Sequence, residues 1–247
     1  MPEISQSKYL VTMTWDDAPH LSDDQKQKLF DSIPPFQRAA RSKGVPALGA
    51  GAIYPLDEDD IKVKPFEIPD YWPRAYGMDV GWNRTAAVWG AHDREAETWY
   101  LYSEYYKGQA EPIIHTAGIQ ARGDWIPGAI DPASRGRSQK DGEKLFETYT
   151  EQGLILTKAQ NAVEAGILNL WQLLSTGRVK VFDTLVKWFE EFRLYRRDEK
   201  GHVIKKDDHL MDATRYWCMT GRDIAIVEPV QMKIGRGSLD GESWMGA

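Results

Sequence analysis

The sequence has few of the features of secreted or membrane-embedded proteins. Its 247 residues include one cysteine, Cys218, so a disulfide within the chain is excluded and a reducing compartment fits best. No apolar run is long enough to span a bilayer, and no basic segment followed by an apolar one begins the chain. We therefore expect a cytoplasmic protein without a membrane partner.

An excess of positive charge is also missing. The 31 lysines and arginines face 37 aspartates and glutamates, which gives a formal net charge of −6. This balance counts mildly against a nucleic-acid binder. A local basic surface stays open as an alternative, because the field at a site depends on the charges nearby.

The two ends of the chain differ from its middle in amino-acid composition and in the secondary structure that they predict. Residues 1–73 are rich in proline and acidic residues and indicate a linker or flap. Within this part we expect a helix capped by Ser22, a second short helix over 34–44, and a loop with short extended pieces from there to residue 73. Residues 222–247 are predicted to form a flexible tail.

Residues 74–221 are typical of an α/β domain. Three strands joined by short turns precede alternating helices and strands, which predicts a mixed β-sheet flanked by helices. We expect about five core strands, with Asp79 on the central one. The predicted strands are 74–82, 85–93, 98–106, 125–134, 154–159 and 179–182, and the predicted helices are 111–122, 142–152, 163–175, 185–195 and 208–220.

Two aspartates stand where a charge is costly. Asp79 lies inside the first strand, in YGMDVGW, and Asp131 ends another apolar strand, in GAIDPAS. A charged side chain in an apolar strand destabilises the fold unless it is paired or binds a cation. Ligands bind at such strand ends in α/β sheets. The plainer alternative is that each aspartate caps a turn, which Asp-Pro and Asp-x-Gly sequences favour.

The segment KKDDHLMDATRY, at 205–216, places further acids on one face of the last helix. Asp208, His209 and Asp212 fall close together there, and neighbouring carboxylates repel unless a cation lies between them. Oxygen ligands select Mg²⁺ or Mn²⁺, and a pair of such ions can activate water and stabilise the leaving oxygen of a phosphodiester. Alternatively, Asp208 only caps the helix and His209 is structural.

Basic residues cluster around a predicted hairpin, 193–206, that turns at Glu199–Gly201. A charged hairpin is by default a solvated surface, but beside acidic metal ligands it is also suited to hold a polyanionic backbone. Arg135, Arg137 and Lys140 would extend that surface. The candidate DNA-binding residues are Arg193, Arg196, Arg197, Lys200, Lys205 and Lys206.

The ordered set MDVGW, IDPAS and KKDDHLMDATRY resembles the nuclease domain of the large terminase subunit of bacteriophages, in the ribonuclease H-like superfamily. The earlier segments TMTWDDAPHLS and PPFQRAARSKGVPALGAGAIYP resemble the region that leaves the ATPase motor of that family. The resemblance implies a metal-dependent endonuclease that cuts concatemeric double-stranded DNA during viral genome packaging in the host cytoplasm. It also implies Mg²⁺ or Mn²⁺ as cofactor, as two ions, and the terminase small subunit and the portal protein as partners.

By position, the resemblance makes Asp79, Asp131 and Asp212 the catalytic metal ligands, with His209 as a further catalytic residue. Asp208 is a candidate ligand too, and whether it or Asp212 leads stays open because family members differ there. The chain contains no G-x-x-x-x-G-K-[ST] phosphate loop, so we expect a nuclease half that does not pump DNA alone.

Two other functions compete with the nuclease. An actin-like or sugar-kinase-like ATPase would use MDVGWNRTAAVW as a phosphate hairpin, but its second glycine-rich turn and nucleoside-binding glycine pair are not evident. A non-catalytic packaging adaptor would retain the fold without the activity, and its buried acids would then be a liability.

Overall fold

The structure, a computed structural model, describes residues 14–33, 42, 51–131 and 139–229. Apart from Ser42, the second short helix predicted over 34–44 lies outside the described residues, as does the part of the predicted tail, 222–247, beyond residue 229. The start of that tail is ordered: it contains a short helix, Arg222–Ile224, and Ile226 exchanges backbone hydrogen bonds with Arg74. None of the helices in the described ranges is both long and apolar enough to cross a membrane.

A seven-stranded mixed sheet runs through the molecule in the order β1-β7-β4-β3-β2-β5-β6. The central strands β2, β3 and β4 form an antiparallel meander. The outer strands β5, β6, β7 and β1 are added in parallel on both sides. The strands are β1 Lys62–Val63, β2 Arg74–Asp79, β3 Thr85–Asp93, β4 Thr98–Lys107, β5 Gly128–Ile130, β6 Leu156–Lys158 and β7 Val179–Phe182. The predicted mixed sheet is therefore confirmed.

Helices cover both faces of this sheet. They are α1 Asp23–Ser32, α2 Glu58–Ile61, α3 Pro112–Gln120, α4 Gln139–Glu151, α5 Val163–Ser175, α6 Val186–Leu194, α7 His209–Tyr216 and α8 Arg222–Ile224, with a 3₁₀ turn at Trp15–Asp17 and a π turn at Trp217–Gly221. One apolar core lies between the sheet and α5, α6 and α7. A second core lies between the opposite face and α3 and α4.

The N-terminal part of the chain departs from its expected loop. The helix after Ser22 is confirmed, with the Ser22 hydroxyl and the Gln25 side chain capping each other's backbone N–H groups. The loop predicted up to residue 73 was wrong at α2, which Asp57 caps through the N–H of Asp59. Strand β1 then pairs with β7, so this part of the predicted linker belongs to the sheet. A two-residue strand is too short to show a period-two pattern.

Two glycines let α7 lie unusually close to the sheet. A Cβ on Gly77, in β2, would be 2.0 Å from the carbonyl oxygen of Ala213 in α7. A Cβ on Gly90, in β3, would be 2.5 Å from the indole ring of Trp217. Only residues without a side chain fit at these contacts. The sequence therefore brings the acidic face of α7 down onto the end of β2.

Candidate active site

The first predicted site residue, Asp79, ends β2 on the side of the sheet that faces α7. It pairs in register with Ala86 of β3, and its side chain is buried. Because alternate residues of a strand share a face, Asp79 lies on the same side as Gly77, where α7 packs. Its Oδ2 is 2.9 Å from Nδ1 of His209, the first residue of α7. Strand and helix are thus joined directly at this carboxylate.

Asp131 lies beside the end of β2. It directly follows β5, the parallel neighbour of β2, and its backbone N–H donates to the carbonyl of Met78 at 3.3 Å. Its side chain is also buried. Adjacent parallel strands end at the same edge of a sheet, so the carboxylates of Asp79 and Asp131 share that edge.

Asp208 and Asp212 present two further buried carboxylates at the start of α7. The ammonium of Lys205 bridges them, at 3.2 Å from Oδ2 of Asp208 and 3.1 Å from Oδ2 of Asp212. The guanidinium of Arg215 is 3.1 Å from the other oxygen of Asp212. Asp208 occupies the N-cap position, yet its side chain makes no capping hydrogen bond. Capping therefore does not account for Asp208.

The pKa of Tyr216 indicates that several of the acids lie close to one another. Burial raises the pKa of the Tyr216 hydroxyl most, and the charges of Asp131, Asp212 and Asp79 raise it further, whereas Arg215 lowers it. Tyr216 itself is buried on the last turn of α7. Interactions between charges weaken with distance, so the acids that affect Tyr216 lie near it. The structure thus brings the strand acids and the helix acid into one neighbourhood.

The surroundings of His209 favour the protonated form of its imidazole. Its hydrogen bond to Asp79 raises the pKa of the imidazole above its ordinary value, against the opposing effect of burial, and Glu191 and Asp208 raise it further. The carboxylate accepts, so Nδ1 carries a hydrogen; in the neutral imidazole Nε2 is then the acceptor, and in the protonated ring both nitrogens donate. The side chain is 24% exposed, so solvent can reach it.

The donor set is suitable for a hard divalent cation. Carboxylate oxygens are the ligands that Mg²⁺ and Mn²⁺ prefer. Within the described ranges, however, no group of at least three histidine, cysteine, aspartate or glutamate side chains has the spacing of a metal site. In the described part of the chain, Lys205 and Arg215 are paired with the helix acids, and His209, when it is protonated, is paired with Asp79. A metal ion at this edge would compete with Lys205 for the oxygens of Asp208 and Asp212.

Glu191, in α6, is a buried acid that sequence analysis missed. Its Oε2 accepts from the backbone N–H of Leu210 at 2.6 Å and of Met211 at 3.3 Å, so it caps α7 from a neighbouring helix. Burial raises the pKa of its carboxyl to about 7, and a hydrogen bond from Tyr106, the two backbone N–H groups and the charge of His209 offset it only in part. No local signal separates Glu191 from Glu190, the exposed glutamate before it.

The basic residues predicted to bind DNA divide into two groups. The hairpin itself is present, with Arg197 paired to Val203 and the turn closed by Gly201 at φ +84°. Arg193, Arg197 and Lys205 are held by acids: Arg193 binds the carboxylate of Glu58 and Arg197 that of Glu164 in two-pronged ion pairs, and Lys205 binds the site aspartates. Arg196 is half-buried, while Lys200 and Lys206 are exposed. Arg135, Arg137 and the side chain of Lys140 lie outside the described residues.

Comparison with known proteins places this arrangement in a family. Residues 76–220 match the family model described as the terminase RNaseH-like domain. The chain belongs to the family of terminase RNase H-like domains. Residues 1–59 also match a model for the N-terminal region of terminase large subunits of the T4-like type.

Individual terminases agree with this assignment. The large subunit of Salmonella phage P22 is 36% identical over 228 residues, which cover 88% of this chain and 45% of the relative. That of Enterobacteria phage LP7 is 36% identical over 225 residues, covering 87% and 47%. The chain therefore spans about half the length of the curated relatives it matches.

A solved structure confirms the fold. The nuclease domain of the P22 large terminase superposes with a TM-score of 0.67 at 34% sequence identity, covering 72% of this chain and 95% of that domain. The predicted ribonuclease H-like mixed sheet with flanking helices is thereby confirmed. The roles of individual residues in this terminase domain stay predictions.

Proposed function

We propose that this chain is a divalent-metal-dependent endodeoxyribonuclease, the part of a large terminase that cuts concatemeric double-stranded viral DNA during genome packaging. The observation that carries the proposal is the placement of Asp79 and Asp131 at the ends of adjacent parallel strands, beside the helix that carries Asp212 and whose His209 is bonded to Asp79. The similarity to the P22 nuclease domain supports it.

The carboxylates of Asp79, Asp131, Asp208 and Asp212 are the proposed metal ligands. A bound pair of Mg²⁺ or Mn²⁺ ions would supply Lewis acidity to the attacking water and the leaving oxygen. Asp79 has a second role, because it orients the imidazole of His209. In its neutral form, which the raised pKa confines to higher pH, His209 would take the proton of the attacking water at Nε2, since Nδ1 donates to Asp79.

The proposed substrate is the DNA backbone, approached from the side of the hairpin. On this hairpin, Lys200 and Lys206 are exposed to solvent, and Arg196 is half-buried. Their charges would meet phosphates without reading sequence. The terminase small subunit and the portal protein are proposed partners in the host cytoplasm, on the basis of the family alone.

Nicking of supercoiled plasmid in Mn²⁺ tests the proposed activity. We expect nicking by the unmodified protein, and none by Asp79→Asn or Asp131→Asn, with melting temperatures unchanged or raised because a repelling charge has been removed. Asp183→Asn is the matched control: Asp183 also follows a strand of this sheet, β7, but it is ion-paired to Lys64. Full nicking by Asp79→Asn with the same metal dependence would refute the site.

The salt dependence of DNA binding tests the hairpin. The triple substitution of Arg196, Lys200 and Lys206 by alanine should weaken binding equally for all sequences. The slope of log affinity against log salt concentration should fall by up to about one unit for each phosphate that is no longer bound. Arg178→Ala is the control, because Arg178 precedes β7 at the opposite edge of the sheet and pairs with Glu97. An unchanged slope in the triple variant would show that the hairpin is only a solvated edge.

A further inference from the structure

The most exposed large apolar side chains are found at the two ends of β2. Among the described residues, Tyr71 is 67% exposed and Trp82 is 62% exposed, more than any other large hydrophobic side chain. Tyr71 precedes Arg74, the first residue of β2, and Trp82 follows Asp79, the last. A six-residue strand separates them by roughly 20 Å. Single exposed aromatic side chains are common and do not by themselves indicate a function. A functional role for either residue must therefore be argued from its position relative to the proposed active site.

Trp82 lies in a turn whose backbone is held in place. The carbonyl of Trp82 accepts a hydrogen bond from the N–H of Gln109 at 2.9 Å. The hydroxyl of Thr85 donates to the carbonyl of Gly81 at 3.2 Å. The carbonyl oxygen of Asn83 packs so closely on Gly108 that a Cβ there would be 2.1 Å away. The indole is therefore presented to solvent on a fixed support, which lowers the entropy cost of binding through it.

The same turn is linked to the proposed active site by a series of ring contacts. The guanidinium of Arg84 lies 4.5 Å from the ring centre of Tyr106. Tyr106 in turn lies 6.5 Å, centre to centre, from the imidazole of His209, which is bonded to Asp79. A cation and an exposed indole thus stand together beside the carboxylates, at the edge of the sheet where β2 ends.

We propose that Trp82 is a DNA-contacting residue: its indole packs against the bases or sugars next to the scissile phosphate, and Arg84 binds a neighbouring phosphate. Aromatic side chains stack on bases or insert between base steps without sequence preference, which is the kind of contact that a packaging nuclease of low specificity needs. The inference rests on the proposed nuclease function, because it takes DNA as the ligand of this edge.

Binding of a fluorescent DNA duplex of about 30 base pairs in EDTA, followed by anisotropy between about 50 and 200 mM salt, tests the inference without cleavage. Trp82→Ala should weaken binding on the order of tenfold at every salt concentration. The salt slope should stay unchanged, because the indole carries no charge. Arg84→Ala should instead lower the slope by up to about one unit. Tyr71→Ala, the equally exposed aromatic at the far end of β2, should bind as the unmodified protein does.

Trp82→Phe separates a ring contact from a general loss of structure. We expect it to retain most of the affinity, because it keeps an aromatic face, and we expect all three aromatic variants to melt with the unmodified protein. Equal affinity of Trp82→Ala and Tyr71→Ala would overturn the inference. So would a loss in Trp82→Phe as large as that in Trp82→Ala.

The two proposals fail in different ways. If the unmodified protein binds the duplex and depends on Trp82, but never nicks plasmid in Mn²⁺, the nuclease proposal fails and the DNA contact stands. If the unmodified protein nicks plasmid and Trp82→Ala binds and nicks with the same affinity and KM, the nuclease proposal stands and the inference about Trp82 is refuted.

Discussion

Substitution of Glu191 by glutamine isolates the energetic effect of one buried acid. Only 3% of Glu191 is exposed, and its carboxylate caps α7 through the N–H groups of Leu210 and Met211. Glutamine has nearly the same shape and keeps an oxygen that can accept these hydrogen bonds. The substitution therefore removes the ionisation of residue 191 while preserving most of the cap.

The size and sign of the effect follow from the pKa of Glu191. Burial raises this pKa from 4.5 to about 7. One pKa unit corresponds to about 1.4 kcal/mol, so ionisation of Glu191 in the folded protein costs about 3 kcal/mol. Because the folded-state pKa is the higher one, the folded protein binds the proton more tightly. The associated stability is fully present below about pH 4.5 and is lost as the pH rises through about 7.

Urea unfolding at several pH values, in EDTA, measures this effect. Between about pH 4.5 and pH 8 the unmodified protein should lose about 3 kcal/mol more stability than Glu191→Gln does. His209 contributes in the same direction, because the hydrogen bond to Asp79 raises the pKa of the imidazole. That part of its effect is present in both proteins and cancels in the difference, whereas the smaller part that comes from the charge of Glu191 is removed with it. Glu190→Gln is the control, since Glu190 is a half-exposed neighbour paired with Lys187. If the two variants show the same pH dependence, the assigned ionisation of Glu191 is wrong.

Three further substitutions test how the site is assembled. Gly77→Ala should lower the melting temperature and abolish nicking together, because the new methyl group pushes α7 off the sheet, and normal activity would contradict that packing. Arg193→Ala should cost about 2 kcal/mol of stability in urea unfolding, because the buried Glu58 carboxylate loses one of its two cationic partners and retains Lys62, with little change in DNA affinity; a DNA-affinity loss without destabilisation would reverse this assignment. Lys205→Ala should tighten Mn²⁺ binding in calorimetry and lower metal-free stability, because this lysine and the metal share ligands, and weaker Mn²⁺ binding would show that it assists the metal instead.

Strongly patterned elements were predictable from the sequence. Strand β3 at Thr85–Asp93, helix α5 at Val163–Ser175 and strand β7 at Val179–Phe182 have the predicted bounds. The last helix was expected to run over 208–220, but its α-helical part ends at Tyr216 and a π turn follows. Trp217 begins that turn with its ring against Gly90, a contact between distant parts of the chain that no local pattern contains.

The candidate acids of the site could be identified from the sequence, because the unfavourable free energy of burying a carboxylate can be inferred from the apolar residues next to it in the chain. A carboxylate inside or directly after an apolar strand stands out, as Asp79 and Asp131 do. The partners of the basic residues were not visible, because they depend on long-range packing. Arg193 pairs with Glu58 across 135 positions, and Arg197 pairs with Glu164 across 33. Sequence alone therefore indicates where charge accumulates, while the fold decides which basic side chains remain available for the proposed contact with DNA.

The close packing of α7 explains why positively charged side chains lie among the acids of this site. Gly77 admits the helix to the sheet, and this contact brings the carboxylate of Asp212 toward those of the strand ends. Carboxylates that are both buried and close together destabilise the fold unless positive charge lies among them. In the structure Lys205, Arg215 and His209 supply that charge. At the proposed metal site, the same ion pairs that stabilise the domain without metal would therefore limit its metal affinity, because a divalent ion would have to exceed the attraction of Lys205 for Asp208 and Asp212 before it could bind them.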